Sequence, residues 1–424
     1  MPFWTPGKIK TLQDQALEAQ GRIADLFEKS RVSLPNNRIG WGQFLGGSKD
    51  NTQCGILGTS AGIQVLASSG VSERTELINR ALPNLDNLLD KTDADDPFLL
   101  DGDLILLFKM TYLAEAKFPG QVNIEADSQI MQAIVARALP GQGWGNYYED
   151  KDDSDPAPTV NATAAALLAL YRYEGFQSSK VCLDAVKWLY NRIPQNGNLA
   201  THELAIAALA LKMYQGMGSK PIDHDFALDL CKKKLIDWAR DRKNRRFGTG
   251  ENYHYNVRLH KRSTMKYMFF LPDYLVAILF LRLGSPKVVR PYVLYVVSRF
   301  VDAILKQGGY APENTKLFAS VDHLWIYRLL NEFRSEPAKE LAPSGFYQWT
   351  GASSLVKILL MIGMLLLGIA GILVGRLGLI GYDHGTTWKS IGLIIIGGLL
   401  TTVPLGLLGR MLWEFFVQGK NDYS

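Results

Sequence analysis

The feature that most constrains the fold is residues 140–175, where a glycine turn and a polar loop lead into a helix rich in alanine and leucine. Within residues 161–171 the early polar positions are Asn161 and Thr163, so no wide hydrophilic face is left and the helix is predicted to be buried on most sides. The next segment, residues 178–192, keeps its apolar residues on one stripe, which is typical of a half-exposed amphipathic helix. A buried helix that alternates with an amphipathic one predicts two concentric rings if the pattern recurs.

The alternation recurs along the first 335 residues. Apolar helices with a polar front residue are predicted at residues 58–69, 103–116, 161–174, 202–215, 273–283 and 322–333. Amphipathic partners are predicted at residues 12–30, 72–89, 125–139, 178–192, 225–241 and 288–305. We therefore predict six inner and six outer helices in a degenerate repeat. A closed ring suits this repeat because it needs no exposed capping repeat.

Glycine and aromatic residues form the turns that lead into the inner helices, namely RIGWGQF, GQGWGNYY, QNGNLATHE, RRFGTGENYHY and KQGGYAPEN. These turns resemble those of the terpenoid cyclase and protein prenyltransferase superfamily, over roughly residues 1–335. The resemblance implies an all-α fold, an (α/α)6 toroid similar to that of squalene cyclases, with a central cavity. It is specific for the fold and says little about activity.

An acidic run at residues 93–96 reads Asp-Ala-Asp-Asp. It is similar to the DxDD motif of class II terpene cyclases, in which the middle aspartate protonates an alkene or an epoxide. The resemblance implies that Asp95 is the acid, with Asp96 beside it as the second candidate catalytic residue. The alternative is a solvated loop or a helix cap that is favoured by the helix dipole. The sequence therefore leaves open whether the chain is an enzyme.

Polar residues at the fronts of the inner helices gather at one mouth of the ring if those helices run parallel. The candidate cavity-mouth residues are Asp101, Asp103, Asn161, His202, Glu203, Asp273, Asp322 and His323. This acidic mouth either complements the positive helix ends or takes a cation or a sugar. Protein prenyltransferases bind zinc through Asp, Cys and His, but no cysteine stands near the histidine pairs here. We therefore predict no metal site, and the sequence identifies no cofactor.

The strongest charge block of the chain lies at residues 240–266, where tyrosines interleave with basic residues. The candidate phosphate- or lipid-binding residues are Arg245, Arg246, Arg258, Lys261, Arg262 and Lys266. The block suits a diphosphate, a nucleic-acid backbone or anionic lipid head groups, and a solvated basic loop is the alternative. Duplex nucleic acid is not an expected partner because no reading helix or ribbon is predicted beside the block.

The C-terminal part of the chain changes in character after a linker at residues 336–353, which is rich in Pro, Gly and Ala. Residues 355–374 and 391–408 are each apolar and long enough to cross a hydrocarbon core of about 30 Å. We predict a two-helix transmembrane hairpin at residues 354–416 and a cytoplasmic tail at residues 417–424. Since no signal peptide precedes residues 1–335, the predicted location is the inner or cell membrane with both termini cytoplasmic.

The leading functional expectation is a membrane-anchored toroid that binds a lipid-like ligand, either an isoprenoid or a phosphate-bearing molecule, in its cavity. Membrane lipid is the expected partner, and glycines in the hairpin predict a homo-oligomer. The alternative is a non-enzymatic sensor or effector of the bacterial defence type, in which the toroid senses a ligand or protein and the hairpin acts on the membrane. A third hypothesis is a glycan-active toroid that uses a carboxylate pair.

Overall fold

The computed structural model describes residues 4–46, 54–90, 135–136, 138–145, 158–173, 175–215, 224–241, 247–248, 251–259, 262–283, 288–312, 317–342, 366, 369–370, 372–374 and 376. For residues 56–57, 84–90, 224–225, 251–259 and 262–270 it describes the backbone alone. The chain divides into two compact units, and the larger comprises Gly7–Ser285 with Tyr292–Ala338. Helices α2 to α8 and α10, with their mutual contacts, belong to this larger unit. The predicted boundaries of toroid, linker and hairpin stay predictions.

The described part of the chain is mostly helical, which confirms the all-α class. The helices are α1 (Pro6–Lys29), α2 (Ile56–Ser68), α3 (Arg74–Asp90), α4 (Val160–Leu170), α5 (Lys180–Gln195), α6 (Thr201–Met213), α7 (His224–Arg240), α8 (Pro272–Arg282), α9 (Arg290–Gln307), α10 (Ser320–Ser335) and α11 (Ala338–Leu341). The predicted inner helix at residues 103–116 lies outside the described residues, as does most of the predicted outer helix at residues 125–139.

Two kinds of helix alternate, as the sequence predicts. Helices α4, α6 and α8 are buried on nearly every side, and in α4 every residue except Leu168 is buried. Their alanine and leucine content leaves no polar face for water. Helix α1 instead buries a stripe that runs from Ile9 to Phe27 and exposes the rest of its surface. The 3.6-residue period therefore separates core helices from covering helices correctly.

The buried helices contact one another in series. Helix α4 packs against α6, α6 against α8, α8 against α10, and α10 against α2. The amphipathic helices cover them, since α3 packs against α2, α5 against α4 and α7 against α6. Helix α1 covers α10, because the side-chain amides of Gln13 and Gln20 donate to the carbonyl oxygens of Phe333 and Tyr327 at 3.1 Å and 3.3 Å.

Strands are few in the described residues, and they pair two by two. Strand β1 (Val32–Leu34) pairs with β2 (Arg38–Gly40), and β3 (Phe44–Leu45) pairs with β6 (Phe318–Ala319), both antiparallel. Strands β4 (Glu251–Leu259) and β5 (Arg262–Phe270) form an antiparallel hairpin with Leu259 opposite Arg262 at its closed end. The sequence predicts a glycine-aromatic turn here, with a solvated basic loop as one alternative for the basic block. The segment forms strands instead, since its Tyr, Val, Thr and Phe residues favour extended backbone.

A glycine-aromatic turn recurs before three of the buried helices, α2, α4 and α10. In each turn the backbone N–H of the aromatic residue donates to the side chain of the fourth residue of the helix. The pairs are Trp41 with Thr59 Oγ1 at 3.1 Å, Trp144 with Thr163 Oγ1 at 3.0 Å, and Tyr310 with His323 Nε2 at 3.0 Å. The same hydrogen bond at the same helix position shows that these segments are copies of one structural unit.

The glycine of the second turn allows a direct test of this unit. Gly143 has φ 151°, and a Cβ atom there would lie 2.5 Å from Thr163 Oγ1. We expect Gly143→Ala to lower the free energy of unfolding by about 3 kcal/mol, measured by urea denaturation, because strain and steric clash act together. Gly141→Ala is the matched control, since Gly141 has φ 71° with open space around it. It should cost about 1 kcal/mol; equal losses would contradict the close-packing argument.

The predicted membrane location needs correction. A membrane-crossing helix needs about 20 consecutive, mainly apolar residues. None of the helices in the described residues combines that length with that hydropathy. Helix α1 is long, for example, but exposes a polar surface along its whole length. This finding contradicts the two-span location in the inner or cell membrane. Of the predicted hairpin at residues 354–416, all but a few residues between 366 and 376 lie outside the described chain.

Candidate functional site

One stripe of side chains on α10 is only half-buried, and its members are Val321, Trp325, Arg328 and Glu332. Their spacing of four, three and four residues places them on a single face of the helix. This face is turned toward the other buried helices, because Trp325 contacts α8 and Arg328 contacts α2. The opposite face of α10 carries the contacts with α1. Side chains that stay half-exposed while facing the inner helices require accessible space between those helices.

Four side chains form a connected array on this face. The rings of Tyr274 and Trp325 are stacked, with centroids 6.1 Å apart and an interplanar angle of 5°. The guanidinium carbon of Arg328 lies 4.9 Å from the centroid of the Trp325 ring. Arg328 Nη2 also donates to Gln64 Oε1 at 2.6 Å. The array thus joins α8, α10 and α2, and it holds a cation against an aromatic face.

Asp322 adds a carboxyl group to this array. Its side chain is 5% exposed, and its Oδ1 accepts a hydrogen bond from the hydroxyl of Tyr274 at 3.0 Å. Burial raises the pKa of Asp322 from 3.8 to about 7, although the Tyr274 hydrogen bond acts in the opposite direction. Among the described residues no ion pair of Asp322 is found. We call Gln64, Tyr274, Asp322, Trp325 and Arg328 the α10 site.

An ion pair lies further along the same face of α10. Arg282, at the end of α8, donates to Glu332 Oε1 through Nη2 at 2.7 Å and through Nε at 2.9 Å. Both side chains are about one-third exposed. An exposed pair of this kind contributes little to stability, because water screens it and two long side chains must be ordered. Its main consequence is that the Glu332 carboxylate already has a cationic partner.

His323, a predicted cavity-mouth residue, has a structural role. Its Nε2 accepts from the backbone N–H of Tyr310 at 3.0 Å, and its Nδ1–H donates to the carbonyl oxygen of Ala319 at 2.7 Å. Burial lowers the pKa of His323 from 6.5 to about 4, so the ring is neutral near pH 7. Both ring nitrogens are therefore engaged by backbone groups, which leaves no lone pair for a metal ion.

Asp273 also acts as an anchor of the backbone. Its Oδ2 accepts from the backbone N–H of Gly248 at 3.1 Å, and its Oδ1 accepts from the hydroxyl of Tyr292 at 3.1 Å. These bonds tie two segments to the start of α8. One is the turn at Gly248, which precedes the β4–β5 hairpin, and the other is helix α9, through Tyr292. The side chain is 1% exposed, as expected of a carboxylate that serves the fold.

The other predicted mouth residues lie at the starts of α4 and α6. Glu203 Oε2 accepts from the backbone N–H of Ala200 at 3.0 Å, which satisfies a free donor at the start of α6. His202 is fully buried. Asn161 is also fully buried, and neither atom of its side-chain amide has a hydrogen-bond partner in the described chain. The structure therefore gives the mouth residues different roles.

Several predicted site residues cannot be placed. Asp95, Asp96, Asp101, Asp103, Arg245, Arg246 and Lys261 lie outside the described residues. Arg258, Arg262 and Lys266 lie on the β4–β5 hairpin, for which only the backbone is described. In its register Arg258 stands opposite Ser263, and Lys266 stands opposite Tyr255. The proposed catalytic and phosphate-binding roles of these residues therefore stay predictions.

The sequence predictions missed most of the α10 site, namely Gln64, Tyr274, Trp325 and Arg328. A signal was present, because Trp325 and Arg328 interrupt an otherwise apolar segment three residues apart. That spacing places two large polar-tipped side chains on one face of a helix predicted to be buried. Tyr274 and Gln64 carry no comparable signal, since their role depends on which helices become neighbours.

Neither a metal site nor a comparison with known proteins assigns a function to this chain. Within the described chain no three His, Cys, Asp or Glu side chains are grouped so that they could hold a metal ion. A comparison with known protein families finds no match, and a comparison with curated proteins finds none either.

Proposed function

We propose that the chain is an α/α toroid of the terpenoid cyclase and prenyltransferase type, which binds a lipid-like, phosphate-bearing ligand in a central cavity. The contact series α4–α6–α8–α10–α2 supports this fold, because the last described inner helix packs against the first. The two ends of the series, α2 and α4, flank the predicted sixth inner helix at residues 103–116 in the sequence. Insertion of that helix between them would close the ring.

The observation that carries the proposed function is the half-buried face of α10. Trp325 and Arg328 keep solvent contact although they project toward α8 and α2 rather than away from them. In a helical ring this face borders the central space. An accessible cavity with apolar walls and a few converging polar groups is the usual form of a small-molecule site.

The chemistry of these side chains favours an amphipathic ligand. The indole of Trp325 offers an apolar edge to a hydrocarbon chain. The guanidinium of Arg328 is held by Gln64 and by the Trp325 ring, and a fixed guanidinium suits the paired oxygens of a phosphate group. A glycan-active site is less well supported, because glycoside hydrolysis uses two carboxyl groups and Glu332 here is paired with Arg282.

Geranyl diphosphate is a suitable probe, with isothermal titration calorimetry as the measurement. We expect Arg328→Gln to raise the Kd for geranyl diphosphate by about 10- to 100-fold, because charge-assisted hydrogen bonds to the phosphate oxygens are lost. The Kd for geraniol, which has the same chain and no phosphate, should change less than about threefold, since it makes no such bonds.

Arg334→Gln is the matched control, since it removes the same charge from the same helix. Arg334 Nη1 donates to Gln20 Oε1 at 2.6 Å, on the face of α10 that packs against α1. Its replacement should leave the Kd for geranyl diphosphate unchanged. Failure of geranyl diphosphate to bind would overturn the proposed function, and an equal effect of both substitutions would show that Arg328 acts only through the overall charge.

A further inference from the structure

We infer that Asp322 donates a hydrogen bond to the bound ligand, so that the ligand carries a neutral acceptor oxygen on its apolar body in addition to its anionic head. This inference rests on the proposed function, because it concerns the same α10 site. It adds a second polar contact to that site and narrows the class of ligand.

The hydrogen bond from Tyr274 determines which oxygen of Asp322 can carry a proton. The Tyr274 hydroxyl donates to Oδ1, so Oδ1 is the accepting oxygen and a proton on the carboxyl group resides on Oδ2. No acceptor for that proton is found among the described residues. Oδ2 is nevertheless not among the described side-chain atoms that are fully buried without a partner, so it borders accessible space. A ligand oxygen in that space can accept the proton that Oδ2 carries.

The groups that face Asp322 favour its protonated form. Helix α8 contributes Tyr274, which is neutral and donates to Asp322. On α2, which packs against α10, the buried polar side chains Thr59, Ser60 and Gln64 carry no charge. His323 is neutral and bonded to the turn before α10, while Asp273 is directed toward Gly248. Helix α1 packs on the opposite face of α10 through glutamines, and the Glu332 carboxylate further along α10 is paired with Arg282.

The nearest cation along α10 on this face is Arg328. It stands six residues beyond Asp322, which corresponds to about 9 Å along the helix axis at about 1.5 Å per residue. At that distance it stabilises the carboxylate only weakly, whereas burial acts fully on the charged form. The two positions are separated along the helix, so a ligand that meets both side chains must carry its acceptor oxygen well away from its phosphate. The class is therefore a lipid-like phosphate with an ether or carbonyl oxygen along its chain.

The test compares geranyl diphosphate with its 8-methoxy ether, whose added oxygen is at the far end of the chain and can only accept a hydrogen bond. Binding is measured by calorimetry about one pH unit below and about one unit above the pKa of Asp322. Below this pKa the wild-type protein should bind the ether about 5- to 10-fold more tightly than the parent compound, as expected for one neutral hydrogen bond. Above it, the ionised carboxylate has no proton to donate and the advantage should disappear.

Asp322→Asn is the matched variant, because its amide donates at every pH. It should keep the advantage of the ether both below and above the pKa of Asp322. Equal affinities of the two probes for the wild-type protein at the lower pH would overturn this inference and leave the proposed function intact. An advantage that still varies with pH in Asp322→Asn would also overturn it. If neither probe binds, both the proposed function and this inference fail.

Discussion

Replacement of Asp322 by Asn is expected to remove a decline in stability that the wild-type carboxyl group causes as pH rises. The pKa of Asp322 is about 7 in the folded protein, against 3.8 as its ordinary value. Between these values the folded chain holds a proton that the unfolded chain has lost, so the free energy of unfolding falls with increasing pH. The full effect is on the order of 4 kcal/mol.

His323 has the opposite effect over nearly the same range. Its pKa is about 4 in the folded protein, against 6.5 as its ordinary value. Between these values the unfolded chain binds a proton that the folded chain excludes, so the free energy of unfolding rises with increasing pH. This contribution is fully present above the ordinary value and is lost as pH falls through about 4, and it amounts to about 3 kcal/mol.

The two contributions largely cancel in the wild-type protein between pH 4 and 6.5, the range that both shifts cover. Urea denaturation across this range should therefore separate them. Relative to wild type, Asp322→Asn should gain stability as pH rises, and His323→Gln should lose stability as pH rises. The expected slope of each difference is about 1.4 kcal/mol per pH unit. Parallel pH profiles for wild type and both variants would show that neither side chain titrates with a shifted pKa.

Trp41→Ala is expected to be among the most damaging single substitutions in the chain. The Trp41 side chain is completely buried, and its Nε1–H donates to the carbonyl oxygen of Phe27 at 2.6 Å. Gly62 on α2 makes room for the ring, since a Cβ atom there would lie 2.5 Å from it. The substitution leaves a large cavity and removes this hydrogen bond, so we expect a loss of about 4–5 kcal/mol in the free energy of unfolding.

Trp325→Ala is the matched control for this prediction. Trp325 is half-buried and contacts neighbours on only part of its surface, so its removal should lower the free energy of unfolding by about 1–2 kcal/mol. It should instead weaken the binding of geranyl diphosphate, because it removes the apolar wall of the α10 site. If Trp325→Ala destabilised the protein as much as Trp41→Ala, the α10 face would be part of the core rather than a cavity wall.

Much of the helical arrangement was predictable from local sequence patterns. Helices α4 and α8 begin within one residue of the predicted Asn161 and Asp273, because a change from a polar loop to an unbroken apolar run marks a helix start. The glycine-aromatic turns were also recognisable, because they come directly before these helix starts. The roles of the polar front residues were not predictable, because Asp273 and His323 find their partners on the distant Gly248 and Tyr310.

One element was missed and one prediction failed, for different physical reasons. The β4–β5 hairpin was missed, because the basic block at residues 240–266 was interpreted from its charge and not from its β-favouring residues. The predicted two-span membrane location rested on the hydropathy of two segments, and no helix among the described residues has the length and hydropathy that crossing requires. The toroid itself stays a proposal that is supported by the helix contact series.

By itself the sequence determined which helices are buried, because the identity and period of the side chains decide how much apolar surface each helix must hide from water. Only the tertiary structure decided that Trp325 stacks on Tyr274, that Asp322 accepts from Tyr274, and that His323 holds a turn. These roles depend on which helices become neighbours. Contacts between residues far apart in sequence, such as Gln64 with Arg328, follow from the packing of whole helices and leave no local pattern in the chain.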